Sequence, residues 1–526
     1  MGAATLLFAT ACAVAQTTSP ARHVHFTVQA PTSLTAPISG RLLIFLKAGT
    51  GEKTVDVNQL SPASTWVGAR EVQGWSAGAS VDVDPDAEGI ASPGPFAAIP
   101  AGDYEVQAVL DVDHTYNYKG RQPEDWVSTV VALPHWTPGE GAEPVIQLSA
   151  HVEANPQQAA MLATAKGQTG PGVAQVEEFQ STLLTKFWGR PVSIKAWVIF
   201  PSGYAEHTTE RYPTVYFTHG FGGTLDNILG RGLAVHERMK AGTMPPMFWI
   251  MLDESCPQGT HEFADSVNNG PWGAALTTEF IPYLEHKYRM DGKAAGRFLN
   301  GHSSGGWATL QLQINYPKIF GGTWSTSPDS SDFHDFTGPD LYAANANVYR
   351  KPDGSAWPIM RMDGKVMATL EQYTKMEQAL GPYGGQIASF EWVFSPKGDG
   401  GAPKQMFNRV TGDVDAAVVS YWHDHYDLAH IVESNWPGLK GNLTGRIHLF
   451  VGTADTFYLD GAAHKLEAVL TRLGGEPHFT YLPGRTHFDL YGVGKDPMGL
   501  FDQISLEMYA VARPNAHWKA RVAAVP

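Results

Sequence analysis

The stretch GHSSG, residues 301–305, sets two serines between glycines. Ser303 stands where the pattern G-x-S-x-G places a nucleophile, with Gly301 and Gly305 at the outer positions. A serine hydroxyl attacks a carbonyl only when a base takes its proton, and that base must be held in one tautomer by an acid. Main-chain amides must also stand ready for the charge that develops on the substrate oxygen. Three other stretches offer these parts. RIHLFVGTADTFYLD puts Asp455 just past an apolar run, HFTYLPGRTHF puts His487 in a Pro-Gly turn, and YPTVYFTHGFGG carries Phe221 in a glycine-rich turn. Ser303, Asp455 and His487 follow the chain order nucleophile, acid, base of a strand-end triad, and the amides of Phe221 and Ser304 are the candidate oxyanion donors.

With 55 glycines in 526 residues, the serine pattern alone carries little weight. Its surroundings add more: RFLN reads as a strand before it, and WATLQLQI reads as a helix after it that Pro317 stops. Alternatives stay open at this point. Ser304 is a rival nucleophile, although in its frame the first glycine position is His302. Asp455 has a second reading as a cap for the helix AAHKLEAVL, and Asp460, Asp329 and Asp332 are rival acids. His487 has the plainer reading of a turn residue. Asp265 and Asn268 either shape a substrate pocket or cap the helix that follows GPWG.

The elements that must position these residues fall into two regimes. From about residue 22 to 150, short alternating runs such as HVHFTV, GRLLIFL and DYEVQAVLDV are broken by Pro, Gly and Asp, which predicts an all-β sandwich-like domain. Residues 151–176, polar and small, read as a linker. From 177 to 526 strands alternate with helices, which predicts a mostly parallel sheet covered on both faces. Binding crevices in such sheets lie beyond the carboxyl ends of the strands, where GHSSG falls. The alternation lapses over about 327–444, read as a cap insertion rich in Trp, Tyr and Pro. The final helix is expected to bury Phe501, Ile504, Met508 and Val511 on one side.

Composition narrows the partners. A formal net charge of -15 argues against nucleic acid, and no segment after the leader is apolar for long enough to cross a bilayer. The substrate expected is a small-molecule or polysaccharide-linked ester. MGAATLLFATACAVAQ has the apolar region and Ala-Val-Ala site of an export signal over residues 1–15, giving a periplasmic or secreted protein, with lipidation at Cys12 as an alternative. Loss of Cys12 leaves Cys256 alone and no internal disulfide. YWHDHYDLAH holds His423, His425 and His430, but His423 and His425 point to different faces of one helix, so neither a metal nor another cofactor is expected.

HGFGG, GHSSGGW, GTADTFYLD and GRTHF, in this order, resemble the α/β-hydrolase esterases of the esterase D, antigen 85 and feruloyl esterase type. The resemblance runs from about Phe187 to the end. HEFADSVNNGPWG and GGTWSTSPDSSDF are similar to an exported subgroup of them. It implies an α/β-hydrolase fold and a serine esterase working through an acyl-enzyme, with Ser303 as nucleophile, His487 as base, Asp455 as acid and the Phe221 and Ser304 amides as oxyanion hole. A peptidase or acyltransferase on the same triad, and an inactive surface- or polysaccharide-binding protein, are the other classes weighed.

Overall fold

The long strands Ile38–Ala48 and Gly102–Asp111 pair antiparallel, Arg41 opposite Asp111, and anchor an eight-stranded sheet built from the first part of the chain. Alternation along Ile38–Ala48 sends its side chains to two different cores. Leu42, Ile44 and Leu46 join Phe26, Val28 and Ile146 inside the β domain, whereas Leu43 and Phe45 face Tyr373, Met376 and Ala379 of the second domain. The β domain is therefore packed onto its neighbour by one face of its own sheet. The computed structural model describes residues 23–87, 90–141, 144–516 and 518. The expected leader, 1–15, and Cys12 lie outside them.

The second sheet has eight strands: β1 (Ala174–Gln180), β2 (Ser193–Ile199), β3 (Thr214–Thr218), β4 (Phe248–Leu252), β5 (Arg297–His302), β6 (Gly322–Thr326), β7 (Ile447–Gly452) and β8 (His478–Leu482). Their spatial order is β8-β7-β6-β5-β3-β4-β2-β1, and β2 alone runs against the rest. β3, β4 and β6 are buried at every residue, as strands covered on both faces must be. Helix Leu225–Ala241 follows β3, opened by a capping box at Thr224 and closed by Gly242 in the left-handed conformation. Helix Ser304–Asn315 follows β5 and Asp460–Arg472 follows β7. Between β6 and β7 lie a two-stranded hairpin, Pro358–Met362 with Lys365–Thr369, and the helices Leu370–Leu380, Gln386–Phe394, Ala416–Tyr426 and Leu428–Leu443.

Two expectations need correction. The stretch read as a linker carries the helix Pro156–Gly167, which the sequence reading did not foresee. It buries no residue; Asn155 accepts from the amides of Gln157 and Gln158, Pro156 occupies the first turn, and alanines fill the middle. Local propensity and a cap make this helix, so a search for an apolar stripe passes over it. In the last helix, Gly499–Ala512, Val511 is 44% exposed and Ala512 is buried instead, because the fourth residue after Met508 shares its face and the third lies farther round.

Candidate active site

β5 lies between β3 and β6, and at its end the chain turns sharply into helix Ser304–Asn315. Ser303 sits on that turn with φ 61° and ψ −126°, a conformation that is costly for a residue with a side chain, by about 1–2 kcal/mol. Its amide donates to Thr326 O at 3.1 Å, and its carbonyl accepts from Trp307 at 3.0 Å and Asp329 at 3.2 Å. The flanking glycines are steric necessities. A Cβ on Gly301 would lie 2.1 Å from Gly305 O, and one on Gly305 would lie 2.2 Å from His219 O. The turn thus holds a side chain out where its neighbours have none.

Three residues past β7 stands Asp455, and five past β8 stands His487. His487 Nδ1 lies 3.0 Å from Asp455 Oδ2, with both residues buried at 5% and 0% exposure. The other carboxylate oxygen of Asp455 accepts from the Phe457 amide at 2.9 Å. Burial pushes the Asp455 carboxyl upward, but the charge and hydrogen bond of His487 and the Phe457 amide together outweigh it and hold the group below its ordinary value. An ionised carboxylate only accepts, so Nδ1 carries the ring proton and Nε2 is left as the basic nitrogen. The carboxylate also serves its own loop, but the helix it was a candidate to cap begins only at Asp460.

The rival residues have other partners. Ser304 is fully buried, and its hydroxyl donates to Asp329 Oδ2 at 2.6 Å. Burial pushes the Asp329 carboxyl up to about 6, a rise that the Ser304 hydroxyl and His487 moderate. Asp332 caps the amide of His334 and contacts its ring, and Asp460 pairs with Arg361 at 3.2 Å. Asp265 accepts from Ala274 N, and Asn268 donates to Ser395 O at 2.7 Å, so both brace backbone. Burial pushes the His302 imidazole well below its ordinary value, and the Arg231 charge adds to this. Desolvation pushes the thiol of half-buried Cys256 up to about 12, which leaves it unreactive.

The turn after β3 passes directly over the serine: a Cβ on Gly220 would lie 2.8 Å from Ser303 Cβ. His219 fixes this turn, with Nδ1 on Gly220 O at 2.8 Å and Nε2 on the Glu254 amide at 3.1 Å. The β domain fixes its far end. Tyr118 donates its hydroxyl to Gly223 O at 2.7 Å, and its ring meets Phe221 edge-on at 5.0 Å. Asn117 and Arg41 also cap helix Leu370–Leu380, donating to the carbonyls of Glu377 and Gly381 and of Gln378 and Ala379. No motif marks Tyr118, because its partner lies 105 residues away. Ser303, His487, Phe221 and Gly220 line one cleft of about 560 Å³, with Asn58 and Gln59 of the β domain on its wall and Met360, Tyr373 and Gln386 of the segment between β6 and β7.

Among the described residues, three side-chain groups place possible metal-ligand atoms within 4.8 Å of one another: His23 with His25 and Asp84, His423 with Asp424 and His430, and Asp332 with His334 and Asp427. His423 and His425 do diverge, but His423 meets His430 of the next helix at 3.7 Å between rings. None of these groups includes Ser303, Asp455 or His487.

A mostly parallel sheet with a serine on the strand–helix turn of its central strand, and an acid and a histidine past the next strands, defines the α/β-hydrolase fold. Residues 191–472, more than half of the chain, match the Esterase family model, and the chain belongs to that family. It is a serine hydrolase of carboxylic esters. No curated protein matches it in sequence. Similar solved structures include a ferulic acid esterase (14% identity, 64% of this chain and 98% of that one, TM-score 0.41). Others are the fluorophosphonate-binding serine hydrolase F of Staphylococcus aureus (13%, 64% and 99%, 0.39) and an S-formylglutathione hydrolase from Agrobacterium tumefaciens (14%, 66% and 97%, 0.37).

Proposed function

We propose that Ser303 is the nucleophile of an acyl-enzyme route, with His487 as the base, Asp455 as the acid that orients it, and the amides of Phe221 and Ser304 as oxyanion donors. The observation that carries this is the buried 3.0 Å contact between His487 Nδ1 and Asp455, with Nε2 left basic in the cleft that Ser303 lines. As Ser303 Oγ bonds to the ester carbon, its proton passes to His487 Nε2, and the carbonyl electron pair moves onto oxygen between the two amides. The positive end of helix Ser304–Asn315 faces the same charge. Collapse expels the alcohol with the proton from His487. Water then repeats the sequence, releasing the acid and Ser303. The substrate is an acylated or aromatic ester, as the aromatic wall of Tyr373, Phe457 and Phe488 favours, and the apolar leader supports export. A fluorophosphonate probe tests the reading: folded protein should gain one adduct at Ser303 by peptide mass, and a protein that stays unlabelled contradicts it.

Tyr118 acts here as a positioning residue. Tyr118→Phe leaves the Gly223 carbonyl without its donor and loosens the turn that offers the Phe221 amide. We expect kcat to fall about 3- to 10-fold with KM nearly constant, since the oxyanion forms only after binding. A rise in KM with kcat retained would show that the hydroxyl serves binding alone.

A further inference from the structure

We propose that Arg231 is an anion-recognition residue of the cleft, and that the preferred esters carry a carboxylate or phosphate group a few bonds from the scissile carbonyl. This rests on the ester-hydrolase reading above. Among the described residues lining the cleft there is no Asp, Glu or Lys, and Arg231 is the one side chain with a permanent charge. That is a pointed choice in a chain of net charge -15. Several other guanidiniums are paired with carboxylates: Arg297 with Glu285, Arg513 with Asp291, and Arg238, on the same helix as Arg231, with both Asp496 and Asp502. Among the described residues Arg231 has no such partner. Its contacts are three aromatic rings, with the guanidinium carbon 5.6 Å from the centre of Phe217, 5.2 Å from Tyr491 and 5.4 Å from Phe501.

Those rings surround the guanidinium at cation–π distance, and aromatic rings accept no ordinary hydrogen bond in its plane, so its N–H groups stay available as donors. The fork of donors matches the two oxygens of a carboxylate or phosphate. Asn227, four residues earlier on the same helix face, also lines the cleft, so this face of the helix is turned toward substrate. The position is close to the chemistry. The Tyr491 ring lies 5.4 Å from that of His302, which lies 4.4 Å from that of His487. A half-buried positive charge in a cleft lined by no Asp or Glu focuses its field on an incoming anion.

The test compares two matched pairs of esters: p-nitrophenyl butyrate with p-nitrophenyl hemisuccinate, and butyryl glycerol with butyryl glycerol phosphate. We expect the wild-type kcat/KM to favour the anionic member of at least one pair, and which pair responds separates carboxylate from phosphate. Arg231→Gln should lower that anionic-to-neutral ratio about 10- to 100-fold, and Arg231→Lys, which keeps the charge without the fork, should retain part of it. Raised salt should lower the wild-type ratio. A ratio that Arg231→Gln leaves unchanged in both pairs overturns the proposal while ester hydrolysis stands. A wild-type enzyme that cleaves none of the four esters counts against the hydrolase reading itself. Calorimetric titration with succinate then decides the subsite, and equal affinity in wild type and Arg231→Gln overturns it.

Discussion

Ser303→Ala is expected to lower kcat for a p-nitrophenyl ester by about 10⁴- to 10⁶-fold while the protein stays folded. The magnitude follows from what survives. The amides of Phe221 and Ser304 and the cleft still bind the ester, but no atom remains to form the acyl-enzyme, and oxyanion stabilisation alone leaves only a small part of the acceleration. The fold should tolerate the change because the backbone bonds of Ser303 to Thr326, Trp307 and Asp329 remain in alanine. Alanine keeps the unfavourable φ of 61°, so no strain is relieved, and the melting temperature should move little. Glycine at the same place would relieve it and should raise stability by about 1 kcal/mol with the same loss of activity. Circular dichroism, thermal unfolding and steady-state kinetics on the three proteins check this. Turnover in the alanine variant within tenfold of wild type would remove Ser303 from the mechanism.

The parts of the site legible in the sequence are those where chemistry and local geometry coincide. A tight strand–helix reversal needs Gly301 and Gly305, whose Cβ positions would lie within 2.2 Å of backbone oxygens, so the glycines advertise the turn. The residues 455 and 487 follow apolar runs that end a strand, which periodicity reveals. The alternation along Ile38–Ala48 likewise announced a β domain. It did not disclose that Leu43 and Phe45 dock that domain on the helix of Tyr373, since a pleat has two faces whatever covers them. Tyr118, Asn58 and Gln59 reach the cleft by this docking, and Arg231 reaches it from the edge of a helix whose buried face is largely apolar. Such positions are set by packing between distant segments, and no local pattern encodes them.

Asp455→Asn should reduce kcat by about 10³- to 10⁴-fold, and Asp329→Asn by less than about tenfold. The two carboxyls are both buried near His487, so the contrast tests which one orients the ring. Asparagine has the shape of aspartate, but its amide can present N–H to His487 Nδ1. That favours the tautomer with the proton on Nε2, the nitrogen that must accept from Ser303. It also removes the negative charge that stabilises the imidazolium once the proton has moved. At position 329 the carbonyl of asparagine can still accept from the Ser304 hydroxyl, which lies 2.6 Å from the carboxylate, and the His487–Asp455 contact is untouched. Stability separates the two as well. The Asp329 carboxyl is pushed up from 3.8 to about 6 by burial, so the folded state holds its proton more tightly than the unfolded chain does. The stability this gives is fully present below about pH 4 and is lost as pH rises through about 6. Asp329→Asn should therefore gain on wild type across that window, by an amount on the order of 3 kcal/mol. Asp455 has the opposite sign. Its depressed value stabilises the fold above the ordinary carboxylate range and ceases to do so as pH falls, so Asp455→Asn should cost stability at neutral pH and little in acid. Urea unfolding reads the two slopes, for Asp329→Asn between pH 4 and 7 and for Asp455→Asn as the pH is lowered below the ordinary carboxylate value of 3.8. If Asp329→Asn is the variant that loses turnover, the orienting acid lies beyond β6, and His487 must swing away from its present contact to meet it.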